Sequence, residues 1–385
     1  MAFNEADTAH GLVKRRLVKG YCGGLFAREL ESTKFKSVPS GHYCVQYVDA
    51  FSWRGEYGGP NTRNSQSLTD EHKDDIEKMG SPIIALDRGL DRCKVMTKRS
   101  LSFPSQILLA IHFIFNDISS ENISHLKKLV VEVLKSYNWE EEKDNVDGYE
   151  KINKNSESFL WRYSTVKSEG KLWIIRTTFV VGKFEQLMLP EKANKTFSLI
   201  DPCGIKQIPF DAVKRFLGRG KEVFINLMVW TIRRSSQNPI HAGVIQKLFG
   251  DPEANIIVSS FANCEKESCT ERPLCCTKQA YKNYVRYYSN TIGKEYDAEA
   301  VHFLFSKGKK NKMVGDQFYM VYLSSDMDLK QVKMMKDSMM SNVQTEDGEL
   351  RHTDCYSFNG IKIPFGRKTT NEEEAKVIHK ILQKQ

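Results

Sequence analysis

Three acidic residues each follow an apolar run that has the character of a buried β-strand. Asp49 ends the run 44–49, Asp117 ends the run 111–117, and Asp201 follows a run that closes at residue 200. In an open parallel sheet, ligands bind just beyond the carboxyl ends of the strands. The three carboxylates are therefore predicted to converge on one crevice at that edge. The alternative is that each acid only caps a helix or occupies a turn.

The acids are positioned by strands that alternate with helices. Helical spacing of apolar residues covers about 8–31, with an interruption at Gly23 and Gly24, and a short helix is predicted over 83–90 after the Gly80-Ser81-Pro82 start. A further helix is predicted over 121–137, with Ser119 or Ser120 as its N-cap. Its predicted buried face consists of Ile123, Leu126, Leu129, Val130, Val133 and Leu134.

Antiparallel pairs are predicted at two places in the chain. The β-rich runs 159–166 and 172–181 are joined by Ser168-Glu169-Gly170, and the runs 300–305 and 318–323 surround a basic turn. Together with the strand–helix alternation, this predicts an α/β fold. We expect a Rossmann-like, class I methyltransferase-type, mostly parallel sheet with an antiparallel edge hairpin, helices on both faces, and insertions.

The chain is long enough for one large domain with additions. We expect an N-terminal helical segment, a Rossmann-like domain and a C-terminal extension with a terminal helix. The expected bounds are 1–42, 43–345 with insertions at 56–80, 140–158 and 263–277, and 346–385.

The composition indicates an intracellular protein with a mildly basic surface. The 385 residues include 57 basic and 48 acidic ones, a net charge of +9, which suits a nucleic-acid or phosphate partner as well as a merely solvated surface. No apolar run reaches the ~20 residues of a membrane span. An acidic N-terminus without an apolar core argues against secretion, so a cytoplasmic location is expected, or a nuclear one through the basic run 307–312.

The nine cysteines are interpreted as reduced thiols. Four of them cluster with the spacing C-x4-C-x5-C-C. Paired C-x2-C knuckles are absent, and adjacent cysteines are awkward as two ligands of one tetrahedral metal. We therefore expect a cysteine-rich loop and no metal site at Cys264, Cys269, Cys275 and Cys276.

Several short segments, taken in order, resemble the three-Cys-motif partner (TcmP) family of methyltransferase-like proteins. Residues 47–55, Y-V-D-A-F-S-W-R-G, resemble the family's Y-I-D-G-F-A-G-P-G, and residues 80–86, G-S-P-I-I-A-L, resemble G-S-P-L-I-A-L. Residues 200–204, I-D-P-C-G, resemble I-D-P-F-G. The similarity covers most of the chain, and the order of the motifs carries more weight than any single one.

The resemblance implies S-adenosylmethionine as cofactor and an amino group of a nucleic-acid base as methyl acceptor. Asp117 would bind the ribose hydroxyls, and the turn Asp201-Pro202 would lie at the transfer site. The implied catalytic residues are Asp201 and Pro202, the cofactor-binding residues are Asp49, Phe51, Gly55, Asp117 and Glu185, and the substrate-binding residues are Arg54, Asn226 and Arg233.

Two departures from the family pattern keep a second hypothesis open. Trp53 stands where the family has a loop glycine, and Cys203-Gly204 replaces the Pro-aromatic half of the turn found in adenine methyltransferases. A catalytically inactive binding or scaffold protein with the same fold is the alternative. Neither a G-x-x-x-x-G-K-[ST] loop nor a G-x-G-x-x-G motif after a strand is present, which disfavours a nucleotide hydrolase or dehydrogenase.

Overall fold

The chain forms two compact units. The computed structural model describes residues 9–31, 42–55, 79–98, 108–142, 155–163, 173–190, 193–262, 274–296, 299–309, 312–324, 356–358 and 361–363. The first unit comprises Met1–Leu199 with Lys330–Val343, and the second comprises Ile200–Leu329 with Gln344–Gln385.

Strands and helices alternate along the first unit, as the sequence predicts. In chain order they are α1 (Ala9–Glu31), β1 (His42–Asp49), α2 (Ser81–Lys98), β2 (Leu108–Asp117), α3 (Ser120–Ser136), β3 (Trp139–Glu141), β4 (Ser156–Tyr163), β5 (Trp173–Val181) and β6 (Lys195–Ile200). The helix α2 continues eight residues beyond the predicted end at residue 90.

The sheet of the first unit has a parallel centre and an antiparallel edge. Strand β1 pairs in parallel with β2 and with β6, and β2 pairs in parallel with β5. Strand β4 runs antiparallel to β5 and to β3. The helices α2 and α3 supply the connections between parallel strands, which is the βαβ arrangement. The predicted Rossmann-like α/β class is confirmed.

The face of this sheet that carries the odd-numbered residues of β2 is an aromatic core. Phe113 lies 5.9 Å from Phe26 of α1 and 6.2 Å from Tyr47 of β1, centroid to centroid. Phe115 lies 5.7 Å from Phe179 of β5. Such offset and tilted ring pairs contribute beyond simple area burial. The aromatic contacts thus tie the first helix to the strands that carry Asp49 and Asp117.

The even-numbered residues of the same strands form a buried polar row. Gln46 Nε2 lies 3.4 Å from His112 Nδ1, and His112 Nε2 lies 2.8 Å from Thr178 Oγ1. Thr178 also bonds to Ser158 at 2.9 Å, and Thr196 donates to Gln46 Oε1 at 3.3 Å. With the Gln46 amide N–H donating to Nδ1, the contacts of the row fit a neutral imidazole that carries its proton on Nε2. Every strand from β6 to β4 contributes one member.

Helix α3 matches its prediction closely. It begins after the N-cap Ser119, whose side chain accepts from the backbone N–H of Asn122, and its buried residues are the six predicted ones. The spacing of apolar residues was enough to predict this helix, because α3 packs a single apolar face on the sheet.

The second unit combines an antiparallel sheet with a group of helices. Its elements are α4 (Phe210–Lys214), β7 (Lys221–Leu227), α5 (Val229–Ser236), α6 (Ala242–Phe249), α7 (Ala254–Ala262), α8 (Leu274–Tyr296), β8 (Glu299–Lys309), β9 (Lys312–Ser324), β10 (Tyr356–Phe358) and β11 (Ile361–Ile363). Strand β9 runs antiparallel to both β7 and β8, which confirms the predicted final antiparallel pair.

The helices of the second unit meet at an aromatic cluster. Phe249 lies 5.8 Å from Tyr288 of α8, and Phe210 lies 6.5 Å from the same ring. Gly250 closes α6 in the left-handed conformation, with φ +67°, and a Cβ there would lie 2.3 Å from the Phe210 ring. Glycine is required at this position for its backbone conformation and for the close approach.

We expect Gly250→Ala to lower the free energy of unfolding by about 2–3 kcal/mol, because left-handed alanine is strained and its methyl overlaps Phe210. The matched control is Gly243→Ala in α6, where a Cβ meets nothing within 4 Å. That substitution is expected to be neutral or to stabilise by up to ~1 kcal/mol. Urea unfolding of both variants tests the pair, and equal midpoints would contradict the packing described here.

Acidification should weaken the first unit through His112. Burial, with the nearby Arg176 charge, lowers the pKa of His112 from 6.5 to about 3. The unfolded chain therefore binds a proton at higher pH than the native one. The stabilisation is complete above about pH 6.5 and is lost as the pH falls toward about 3. Protonated His112 would also point a second N–H at the Gln46 amide.

Between about pH 7 and about pH 5, the wild-type protein should lose about 1–2 kcal/mol more stability than His112→Gln, which cannot be protonated. Ser124→Ala, at an exposed position of α3, removes no titratable group and serves as the control, which should keep the wild-type pH dependence. Urea midpoints at the two pH values provide the measurement. Parallel pH profiles for wild type and His112→Gln would show that the row does not titrate as described.

Candidate functional site

The loop Ala50–Gly55 follows β1 and lies at the carboxyl edge of the first unit's sheet. Ala50 N–H donates to Leu199 O at 3.0 Å, which extends the pairing with β6. Ser52 N–H donates to Asn116 O at 2.8 Å, and the Asn116 side chain donates to Ala50 O at 2.9 Å. The loop is thus anchored to the strands on both sides of β1. This is the edge at which parallel sheets bind ligands.

Asp117 holds this loop to the end of β2. Its Oδ2 accepts from the backbone N–H of Trp53 at 3.1 Å, and its Oδ1 accepts from Ser119 N–H at 2.8 Å and from Asn122 Nδ2 at 3.1 Å. Hydrogen bonds to a carboxylate are stronger than neutral ones. Since a carboxylate accepts about four hydrogen bonds in all, roughly one acceptor position on Asp117 is left for a ligand.

Trp53 occupies an unusual backbone conformation. Its φ is +51°, and it shares a positive φ with only one other non-glycine residue among the described ones, Asn138. Its side chain is 53% exposed. A bulky L-residue in the left-handed region is strained, and the hydrogen bond to Asp117 helps to hold it there. The indole is therefore exposed at the carboxyl edge of the sheet, where parallel sheets generally bind ligands.

Asp49 is buried and organises the start of α2. The Ser81 hydroxyl donates to its Oδ2 at 2.6 Å, and Phe51 N–H donates to its Oδ1 at 3.3 Å. Ser81 is the first residue of α2, so the carboxylate lies where the helix dipole favours negative charge. The charge of Asp49 also acts on neighbouring groups. Burial is the larger cause and the Asp49 charge the second cause that raises the pKa of Cys22 and of Tyr47 above their ordinary values.

Gly55 and Gly80 close the loop by direct backbone contact. Gly80 N–H donates to Gly55 O at 2.8 Å. Gly55 has φ +77°, and a Cβ there would lie 2.4 Å from Leu126 of α3. The conformational freedom of Gly55 therefore serves packing against α3 as well as any approach of a ligand.

The end of β5 joins the same edge. Gly182 N–H donates to Asp117 O at 3.0 Å, and Phe51 packs on Phe184 with 5.3 Å between ring centroids. Glu185 follows Phe184 in a short 3-10 turn and is exposed. The structure thus brings Asp49, Phe51, Gly55 and Asp117 together around one loop, with Glu185 on the adjoining turn.

Asp201 lies in the second unit and is held by Asn226. Asn226 Nδ2 donates to Asp201 Oδ1 at 2.9 Å, while Asn226 itself is only 8% exposed. The Asn226 Oδ1 atom is buried and has no hydrogen-bond partner in the part of the chain described. The pair couples two predicted site residues and offers acceptor oxygens to a donor such as an amine.

The turn after Asp201 is fixed by the side chain of Gln207, which is not among the predicted site residues. Pro202 is buried, Cys203 is exposed, and the backbone N–H groups of Cys203 and Gly204 both donate to Gln207 Oε1, at 2.8 and 3.1 Å. Gln207 thereby sets the conformation of the Asp-Pro-Cys-Gly turn. A glutamine three residues after a turn glycine, at the start of a helical segment, is the signal that could have revealed it.

Both predicted arginines lie partly buried. Within the described residues, Arg54 Nε in the first unit and Arg233 Nε in the second are buried atoms without a hydrogen-bond partner. A guanidinium with unused donors suits carboxylate or phosphate recognition. The structure places Arg54 on the β1 loop and Arg233 on α5, together with Asn226 of the same unit.

Two further residues at the loop were not predicted. Ser81 bonds to Asp49, and Asn116 bonds the loop through both its backbone and its side chain. The serine at a helix start and the asparagine directly before the strand-end acid were the available signals. Asn116 Oδ1 is a buried atom with no hydrogen-bond partner among the described residues.

Neither a metal centre nor a membrane span is found in the described part of the chain. No group of three or more histidine, cysteine, aspartate or glutamate side chains is arranged to hold an ion there. The cysteine cluster predicted at 264–276 lies outside the residues whose side chains are described. Among the helices of the described residues, none is both long and apolar enough to cross a bilayer.

Comparison with known proteins gives only distant structural similarity. No family model and no curated protein matches the chain. A crystal structure of a Legionella pneumophila str. Philadelphia 1 protein, family model DUF519, is similar with a TM-score of 0.35 and 11% identity over 95% of this chain and 99% of that one. Loganic acid methyltransferase with SAH is similar with a TM-score of 0.30 and 9% identity over 84% of this chain and 97% of that one.

TM-scores and sequence identities as low as these do not assign an activity to the chain. The TcmP resemblance stays a prediction from the sequence motifs.

We expect Asp117→Asn to lower the free energy of unfolding by about 2–3 kcal/mol, because the charge is lost and the new NH2 group faces the N–H of either Trp53 or Ser119, whose bond is then broken. Glu185→Gln, on the exposed turn of the same edge, should change it by less than ~0.5 kcal/mol. Urea unfolding of the two variants is the measurement. If the two substitutions have the same small effect, Asp117 does not anchor the loop.

Proposed function

We propose that the protein is an S-adenosylmethionine-dependent methyltransferase that acts on an amino group of a nucleic-acid base. The first unit would bind the cofactor at the carboxyl ends of β1 and β2. Asp201 and Pro202 would hold the acceptor amine. The net charge of +9 is compatible with a polyanionic substrate.

The observation that supports the proposal most is the shared loop of Asp49 and Asp117. Two adjacent parallel strands each end in a buried acid, and both acids bond to the same loop through Phe51 and Trp53. Helix N-termini and strand ends of this kind are the ordinary ligand sites of open α/β sheets. Hydrogen bonds from the loop and from the starts of α2 and α3 offset the cost of burying these two carboxylates at one edge.

The residues present fit the cofactor in part. The remaining acceptor position of Asp117 suits one ribose hydroxyl, and Asn116 Oδ1 and Arg54 Nε are a buried acceptor and a buried donor lacking partners among the described residues. Arg54 would suit the cofactor's carboxylate. When bound, the cofactor would supply an electrophilic methyl group on sulfonium.

Asp201 would orient the acceptor amine. Asn226 fixes one carboxylate oxygen of Asp201, so that the carboxylate keeps a single orientation. A hydrogen bond from the amine N–H to Asp201 would direct the nitrogen lone pair, and the proton released on transfer would pass to Asp201 or to water. Arg233, on the helix after β7, would bind substrate phosphate.

Isothermal titration with S-adenosylmethionine and S-adenosylhomocysteine tests the cofactor half of the proposal. We expect saturable binding and an increase in the melting temperature by mass action. Absence of both heat and stabilisation would exclude the cofactor.

For the acceptor half, Asp201→Asn should slow methyl transfer from labelled cofactor to single-stranded RNA or DNA by roughly 100-fold, because proton handling and orientation are impaired. The affinity for S-adenosylhomocysteine should stay that of the wild type. Asp211→Asn serves as the control, since the Asp211 side chain is 92% exposed on α4 of the same unit. Full activity of Asp201→Asn would rule out the proposed role.

A catalytically inactive binding protein is the second candidate. The observation that favours it is that Asp117 already accepts three hydrogen bonds from the protein, including the backbone of Trp53. A carboxylate that closes its own loop would need no cofactor. Cofactor binding without methyl transfer to any nucleic acid, or no cofactor binding at all, would favour this reading.

A further inference from the structure

Trp53 combines three properties that packing alone does not require. Its backbone is in the left-handed region, its N–H is bound by the Asp117 carboxylate, and its indole is 53% exposed. Strained residues of this kind cluster at ligand sites, because surrounding contacts must hold them in place. Glycine would adopt the same backbone without strain, so the side chain itself is the feature to be explained.

Polar atoms lacking partners accompany the indole. Arg54 Nε, on the next residue, and Asn116 Oδ1, on the residue before Asp117, are both buried and without a hydrogen-bond partner among the described residues. Asn116 is only 1% exposed. Buried polar groups in native proteins are normally satisfied by protein, water or ligand. One acceptor and one donor are therefore placed where a polar ligand at the loop that carries Trp53 could bond to them, as water could.

The exposed apolar side chains of the first unit occur at this same edge. Among the described residues of the unit, the exposed large hydrophobic ones are Trp53, Ile118 and Met188, at 53, 65 and 55%. Ile118 directly follows Asp117, and Met188 follows the turn after β5. Apolar groups exposed next to polar atoms lacking partners are typical of a ligand site that accepts a flat, partly polar molecule.

We propose that Trp53 is a stacking platform for the nucleobase of a nucleoside ligand. The proposal deepens the proposed function and rests on it for the adenine nucleoside as the ligand class. The base would lie on the exposed indole, with a ribose hydroxyl on the remaining acceptor position of Asp117. Stacking on an aromatic side chain is tolerant of the base and needs only its π-face.

Trp53→Gly is the informative variant. Because glycine relieves the strain at φ +51°, the folded protein should be as stable as the wild type or more so, and a loss of binding is then not a loss of fold. Trp53→Phe keeps a stacking ring without indole fluorescence. Trp230→Phe removes the second exposed tryptophan among the described side chains, which is 46% exposed on α5 of the second unit.

Adenosine and S-adenosylhomocysteine are the probes, measured by tryptophan fluorescence and by calorimetry. We expect saturable quenching in the wild type and in Trp230→Phe, and its disappearance in both Trp53 variants. Calorimetric affinity should fall roughly tenfold or more in Trp53→Gly and only slightly in Trp53→Phe.

The outcomes separate this proposal from the proposed function. Adenosine that quenches Trp53 while S-adenosylhomocysteine does not bind would retain the stacking platform and overturn the methyltransferase. S-adenosylhomocysteine that binds Trp53→Gly as tightly as the wild type, or more tightly, would overturn the platform and leave the methyltransferase standing. Failure of both probes to bind the wild type would overturn both.

Discussion

The hydrogen bond from the Trp53 backbone to the Asp117 carboxylate is the contact on which the first unit's site depends. It joins the loop after β1 to the end of β2, and the same carboxylate accepts from the Ser119 N–H and from the Asn122 side chain at the start of α3. Asp117 O also receives Gly182 N–H from the end of β5. One buried acid thus sets the relative positions of three strand ends and one helix. Any ligand at this edge must be accommodated by a loop that the protein has already closed.

The two faces of the first unit's sheet stabilise it by different interactions. The aromatic face, around Phe113, supplies the apolar burial that holds α1 and α2 against the strands. The other face carries a hydrogen-bonded row with His112 near its centre. Burying such groups is tolerable because each finds a partner in the neighbouring strand. The row adds directional restraints where apolar packing alone would leave the register less defined.

Periodic signals in the sequence identified α3 and most of the sheet strands of the first unit but missed some helices and the contacts of the loops. The buried face and N-cap of α3 were predicted correctly, because one helix face packs against one sheet and the cap is local. The continuation of α2 past residue 90 and the helices α5 and α7 were missed, because tertiary packing extends short amphipathic segments whose own signal is weak. The side-chain bonds of Ser81 and Asn116 were missed because their partners lie far away in the sequence. The bonds of Gln207 are local and were missed although its place after the turn glycine signalled them.

The cysteines with described side chains differ sharply in chemical character. Cys22 and Cys93 are fully buried, and burial raises the pKa of both thiols, so they stay protonated. Cys203 is exposed on the turn that begins with Asp201. Since the thiolate is the nucleophile and must be accessible, alkylating reagents added to the native protein would modify Cys203 well before the sheet interior. A label attached to the Cys203 sulfur would be joined to the backbone of this turn through a single side-chain carbon. The second unit therefore offers an attachment point for a spectroscopic label that would report on the turn.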